Sequence, residues 1–220
     1  MGVVEQCWVT MAIDDASALK ALVLAKSLRR VVTTRKVAVI FCSDVSAKMR
    51  NSLISTFDQC LKMDPSHEMN GIPIELYVKI FCWSIPFIKT SVFLHPDTLV
   101  VRNCDELFDQ PGVKARLTDN GDIDTSVCVL EPSLVTYEKI VGWMNTGKNH
   151  DDANQRYGKY IQEQLNFSPL AEKYNLTITL GGKLAAAPES AVSIVRFCKV
   201  HPLDSNNNTD FGEGLLEKVC

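Results

Sequence analysis

The sequence contains no Cys-x-x-Cys pair, no run of Lys and Arg, no internal repeat, no linker and no apolar stretch long enough to cross a bilayer. Each absence removes a class of function. Without cysteines at metal-knuckle spacing there is no signature of a zinc ribbon or a dithiol redox centre. Without a basic run, and with a net charge of −3, there is no electrostatic footprint for nucleic acid or for an anionic membrane surface. Met1 to Gln6 lacks the basic start of a secretory leader, and Asp14 and Asp15 break the apolar stretch behind it. Gln6 stands where a myristoylation motif after Gly2 needs Ser or Thr. Low complexity is confined to Asn206-Asn207-Asn208.

What is present suits one α/β domain. The chain has 220 residues, 46% of them apolar and 22% charged, enough to bury a core of its own. Most of its eight cysteines lie inside apolar runs, where free thiols pack as small hydrophobes. That usage predicts a reducing, cytoplasmic compartment. The sequons at Asn166, Asn175 and Asn207 are then chance matches, and become glycosylation sites only if the protein is secreted.

The apolar run Cys7–Ile13 predicts a buried strand, and Ala16–Arg30 a helix with Leu19, Leu22, Val23, Ala25 and Leu28 on one wide face and Lys20, Lys26 and Arg29 at its rim. Asp14 or Asp15 suits its N-cap, and Arg29-Arg30 its C-terminal carbonyls. Lys36–Cys42 reads as a strand and Ser46–Phe57 as a helix. This β-α-β-α opening implies a parallel sheet that binds ligands at the carboxyl ends of its strands, such as Ile13-Asp14-Asp15. Further along, a helix over Pro73–Ser84 carries Lys79, and strands are expected at Ser91–Leu94 and Ser126–Leu130. Helices are expected at Ser133–Met144 and Gln155–Leu165, around a polar loop at Asn145–Asn154. Late strands are expected at Leu176–Thr179 and Ser193–Phe197, before a polar stretch at Ser205–Thr209.

The most informative segment is Ser91-Val-Phe-Leu-His95-Pro-Asp97-Thr-Leu-Val-Val101, an apolar strand that delivers a carboxylate at its exit. Together with Cys7-Trp-Val-Thr10, Ala21-Leu-Val-Leu24, Thr33-Thr-Arg-Lys-Val37, Lys79-Ile-Phe-Cys-Trp83-Ser, Asp105-Glu-Leu-Phe-Asp109 and Pro132-Ser-Leu-Val-Thr-Tyr137, it resembles glycogenin and other family 8 glycosyltransferases, in the same order and over roughly residues 7 to 202. The resemblance implies a GT-A fold: one Rossmann-like α/β domain with a mixed, mostly parallel sheet flanked by helices. A nucleotide-binding half would cover about 1–101, an acceptor half about 102–203 and a short tail 204–220. It also implies glucosyl transfer from UDP-glucose to a tyrosine of the protein itself, with Mn²⁺ or Mg²⁺ neutralising the leaving group.

The matched site positions depart from that pattern in one direction. His95 replaces the first acid of the family's Asp-x-Asp and leaves Asp97 alone, so these two form a vestigial metal site. In the nucleotide-holding loop, Asp14 and Ser17 match an Asn and a uracil-stacking Tyr. Asp124-Thr125-Ser126 matches an Asn-Ser-Gly, and Asp151-Asp-Ala-Asn154-Gln155 a catalytic Asp-x-x-Asp-Gln. Arg196 and Lys199 stand in the late segment that supplies a third metal ligand and diphosphate contacts. No tyrosine follows Tyr174 in the acceptor region, and no long tail of the glycogen-synthase-binding kind follows the matched region.

The resemblance therefore assigns Thr10, Asp14, Lys79, Asp97, Asp124, Arg196 and Lys199 to the sugar nucleotide, and Asp151, Asn154 and Gln155 to a degenerate catalytic motif. No metal cofactor is expected, because Arg is a fixed cation where a ligand should be; Mn²⁺ or Mg²⁺ enters only if the chain is an active enzyme that keeps a metal. Two functions follow. One is an impaired or inactive homologue that binds UDP-sugar weakly or not at all and acts as a homodimer or a heterodimer with a glycogenin-type paralogue. The other is an active UDP-glucose transferase in which Arg196, Lys199 and Lys79 take the metal's part. A bidentate Arg196–Asp97 pair filling the metal's place is expected in the first. Blander readings accompany the sharp ones: Asp97 capping the Thr98 or Val100 amide, Lys79 as a solvated helix lysine, Tyr157 and Tyr160 as packing residues.

Overall fold

A computed structural model describes residues 4–64, 72–146, 153–179 and 192–198. Strand β1 (Val4–Ala12) leads into helix α1 (Asp15–Arg30), followed by β2 (Lys36–Phe41), α2 (Ala47–Thr56), β3 (Gln59–Lys62) and α3 (Ile74–Phe81). Strands β4 (Ile88–Leu94), β5 (Thr98–Val100), β6 (Val113–Leu117) and β7 (Ile123–Leu130) come next, then α4 (Leu134–Asn145), α5 (Ala153–Gln164), β8 (Phe167–Pro169), β9 (Leu176–Thr179) and β10 (Ile194–Cys198).

Seven strands form the main sheet in the order β3-β2-β1-β4-β7-β6-β8. All run parallel except β7, which is antiparallel to both neighbours. The reversal comes from a hairpin: β6 turns into β7 through residues 118–122, where Gly121 takes φ +82 and its amide donates to Thr118 O. Glycine adopts that left-handed backbone without Cβ strain. A second sheet, β5-β10-β9, lies at the strand ends, with β10 antiparallel to β5 and parallel to β9.

The period-2 pleat sorts each strand into two cores. Cys7, Val9 and Met11 of β1 face one layer with α3, α4 and α5, while Trp8 and Ala12 face the other with α1. With both faces covered, β1 reads as a near-continuous apolar run. Leu24 and Leu28 of α1 are fully buried there, each contributing about 2 kcal/mol. Gly158 lets α5 press onto β7, because a Cβ there would come within 3.3 Å of Ile123.

The expected helices and main strands match within one to three residues. Strands β3, β5, β6 and β8 were not expected: each spans five residues or fewer, and β3 and β8 lie at the two edges of the main sheet. Lys199, Asp151, the tail and the polar stretch at Ser205–Thr209 lie outside the described residues. Among the described residues no helix is long and apolar enough to cross a membrane.

Candidate functional site

The carboxyl ends of β1 and β4 lie side by side, since the two strands pair in parallel from Val4↔Ile88 to Val9↔Phe93. From β1 the chain enters α1 through Asp14, an N-cap whose carboxylate accepts from the Ser17 amide at 2.7 Å, while the Ser17 hydroxyl reaches back to the Asp14 amide at 3.0 Å. This reciprocal capping box satisfies two orphan helix donors. The Ser17 hydrogen bonds hold the Asp14 carboxyl below the usual carboxylate range. Ser17 therefore has a local structural task, closing the cap of α1.

From β4 the chain passes His95-Pro96-Asp97 into β5. The His95 amide donates to Ser126 O at 2.8 Å, which ties this exit to the start of β7. His95 Nδ1 accepts from the Asp97 amide at 3.2 Å. Burial and the Lys79 charge push the imidazole down to about 4, against the pull of Asp97, so the ring is neutral near pH 7. Its Nε2 lies 4.0 Å from Glu75 Oε2 at the rim.

The expected Arg196–Asp97 pair is overturned. Arg196 Nη1 donates to Asp124 Oδ2 at 3.1 Å, and Asp97 Oδ1 takes the Lys20 ammonium at 2.5 Å. Strand register gives the reason. Arg196 stands opposite Thr98 in the β10–β5 pair, and the Phe197 amide donates to Asp97 O, so the pleat puts Arg196 and Asp97 on opposite faces. Asp97 caps neither amide suggested for it: Thr98 N donates to His95 O, and Val100 N to Ser27 Oγ.

Asp124 opens β7, and one of its oxygens accepts from the Ser126 amide at 2.9 Å. Burial alone would raise its pKa, but the Ser126 hydrogen bonds and the Arg196 charge outweigh it and hold the carboxyl low. Lys79 is not the solvated helix lysine of the bland reading. It retains partial solvent access, yet its ammonium sits deep in the protein, donating to Thr125 Oγ1 at 3.1 Å and lying 5.9 Å from the Phe93 ring centroid. Desolvation lowers its pKa, Arg196 adds to the effect, and Asp124 opposes it.

Lys20, Lys79 and Arg196 thus meet Asp97, Asp124 and His95 at one end of the sheet. Lys20 was legible only as a helix-rim lysine. Thr10, by contrast, is buried at 2% exposure within β1, and its hydroxyl has no partner among the described residues. Asn154 and Gln155, exposed on the first turn of α5, line a cleft of about 470 Å³ with Thr125, Ile123 and Asp122. Tyr157 is buried and accepts from Trp83 Nε1 at 2.8 Å; Tyr160 is buried too, against Trp143.

A divalent metal does not fit the described side chains. Asp97 is engaged by an ammonium, His95 Nδ1 by an amide, and Asp124 by a guanidinium. Among the described residues no three His, Cys, Asp or Glu side chains converge as a ligand set.

Comparison with known proteins gives a consistent family. No family model matches the chain. It is 33% identical over 162 residues to glycogenin-1 of Caenorhabditis elegans, covering 68% of this chain and 38% of that protein. It is 32% identical over 163 residues to human glycogenin-1, covering 69% and 46%, and 33% identical over 167 residues to human glycogenin-2, covering 70% and 33%. The chain therefore spans less than half the length of these curated relatives. Among solved structures it is similar to an active-site mutant of LgtC, with TM-score 0.69 and 13% identity over 97% of this chain and 94% of that one. It is also similar to the galactosyltransferase LgtC with donor and acceptor sugar analogues, with TM-score 0.65 and 15% identity over 87% of each chain. These structural likenesses establish the fold, and the glycogenin identities establish the kinship: the chain is a divergent, glycogenin-like member of the family 8 glycosyltransferases with a GT-A fold.

Proposed function

We propose that this chain is a family 8 homologue in which metal-dependent glucosyl transfer is impaired or lost, and which acts through protein contacts such as dimerisation with itself or with a glycogenin-type paralogue. The observation that carries the reading is the double engagement of the site: Lys20 holds Asp97, and Arg196 holds Asp124. A leaving UDP needs its growing negative charge neutralised, and the carboxylates that would hold a cation for that task are spent on internal pairs. The acceptor region after Tyr174 offers no tyrosine hydroxyl before Arg196, and Tyr157 and Tyr160 are buried. Exposed Leu134 and Val135 on α4, and Leu19 and Val23 on α1, are apolar surface that a partner would cover. Cys7, Cys42, Cys60, Cys82, Cys104 and Cys128 are free, which supports a reducing, cytoplasmic setting.

The rival, an active transferase with cations in the metal's place, has one observation in its favour: the deep Lys79 ammonium beside Arg196. Intact-mass spectrometry after incubation with UDP-glucose and Mn²⁺, and again with EDTA, separates the two. Unchanged mass in both is expected. A ladder of hexose additions in either overturns the impaired reading, and additions in EDTA favour the rival.

A further inference from the structure

Helix α4 buries Ile140 and Met144 and packs Tyr137 and Val141 against the core it shares with α3 and α5. Its opposite face keeps two apolar side chains in water, Leu134 and Val135, each 60% exposed. The same face carries Gly142, exposed in the helix interior, where glycine disfavours the helix. Among the described residues nothing calls for a glycine there: a Cβ would meet no atom within 4 Å, and its φ is not in the left-handed region. A second backbone laid along this face could approach closely at that position. Val135 and Gly142 are seven residues apart and lie on nearly one line, with Glu138 about 50° to one side of it and Lys139 about 50° to the other. Both charges are exposed, and neither has an ion-pair partner among the described residues. The other exposed apolar pair, Leu19 and Val23 on α1, lies beside Lys26 and Arg30, while Asp15 is engaged by the Ser46 amide. Two copies joined on α1 would set like charges together; two joined on α4 need not.

We propose that the outer face of α4 is the surface through which two copies of this chain associate, with their α4 helices side by side and parallel. This rests on the reading that the chain acts through protein contacts, and names the face and the partner. The direction follows from the charges. A twofold axis along the helices carries the Glu138 edge of one copy to the Lys139 edge of the other, so two Glu138–Lys139 pairs close over the Val135–Gly142 line. A twofold axis across the helices makes them antiparallel and keeps each edge on its own side. Glu138 then meets Glu138, and Lys139 meets Lys139. In the parallel arrangement Gly142 faces its own copy at the axis, which lets the backbones approach, and Val135 packs on Val135. One helix face with its flanks falls short of the roughly 1,200 Å² at which standard interfaces begin, so the contact is weak and concentration-dependent.

Sedimentation velocity on the full chain over a range of concentrations tests the idea. A monomer–dimer equilibrium weakened by added salt is expected. Glu138→Lys or Lys139→Glu alone should weaken association about tenfold, since each turns two attractive pairs into repulsive ones, and both exchanges in one chain should restore it. Val135→Cys should give a disulfide-linked dimer on mild oxidation more readily than the unaltered chain, because a parallel pair sets residue 135 beside its own copy. Gly142→Gln should raise the melting temperature while weakening association, a combination that a folding defect would not produce. A chain that stays monomeric at every concentration overturns the proposal. A dimer that survives both single exchanges overturns the α4 assignment and leaves self-association in place. Single losses that the double exchange does not reverse overturn the parallel arrangement. Hexose transfer in the mass assay would sink the impaired reading while leaving this face standing.

Discussion

Arg196 reaches Asp124 across 3.1 Å and leaves Asp97 to Lys20. The choice follows from strand pleat, not from charge, since either carboxylate would attract a guanidinium. It also makes two separate pairs with different energetics. Asp124 and Arg196 are 14% and 28% exposed at their side chains, whereas Lys20 is 50% exposed.

Arg196→Ala should therefore destabilise the fold by about 2–4 kcal/mol, because it strands an enclosed carboxylate. Asp124→Asn added to that variant should recover part of the loss. Urea unfolding of both singles and the double variant measures the coupling. Additive effects would show that the pair carries no interaction energy.

Lys20→Ala should cost no more than about 1 kcal/mol, the usual range for a solvent-exposed pair. Its larger effect is on the carboxylate it releases. Arg196→His alone should bind Mn²⁺ poorly, since Asp97 is still held by Lys20. Combining it with Lys20→Ala should give tighter Mn²⁺ binding by calorimetry. Equal affinities in the single and double variants would show that Lys20 does not guard Asp97.

Acid should weaken the fold through His95. Its imidazole is held down to about 4, so between that value and the ordinary value near 6.5 the unfolded chain binds the extra proton. Stability therefore rises with pH across this window and is lost as pH falls through it, by up to roughly 3 kcal/mol. Asp124, whose carboxyl is held low, adds a loss of the same sign at lower pH. His95→Gln should flatten the profile between pH 6.5 and 4 in denaturant titrations, and an unchanged slope would place the acid sensitivity elsewhere.

Asp14→Ala should cost about 1 kcal/mol by removing the α1 cap, and Asp14→Ser should restore most of it. Thermal unfolding of the two variants tests whether this carboxylate serves the helix.

Much of the frame was legible in the sequence because it is local. The apolar run of β1, the 3.6-residue pattern of α1 and the Asp14 cap depend on neighbours in the chain. Residues 119–121, Asp-Asn-Gly, carry the turn chemistry that joins β6 to β7. Strand β3, Gln59-Cys-Leu-Lys62, carried too little pattern to be read: four residues, none fully buried. Site composition was legible and site pairing was not. Family positions brought Asp97, Asp124, Lys79 and Arg196 together, but which oxygen meets which nitrogen depends on the register of β10 against β5. Lys20 joins from 77 residues away, from a helix rim that resembles any solvated one.

The β10–β5 pairing also fixes when the site can exist. Its charged groups come from positions 20, 79, 97, 124 and 196, and the last docks through a strand that pairs with β5 and β9, outside the seven-stranded sheet. During synthesis the main sheet has all its strands once residue 169 emerges, some 25 residues before β10 begins. Until then Asp124 has no guanidinium partner, and the two short strands flanking β10 have no strand between them. A nascent chain paused in that interval would carry a pocket in which Asp124 keeps the Lys79 charge but lacks its guanidinium, on a nearly finished domain. Closing that pocket is a late, long-range step in folding, and a ribosome-arrested series ending on either side of β10 would resolve it as a distinct gain in protease resistance.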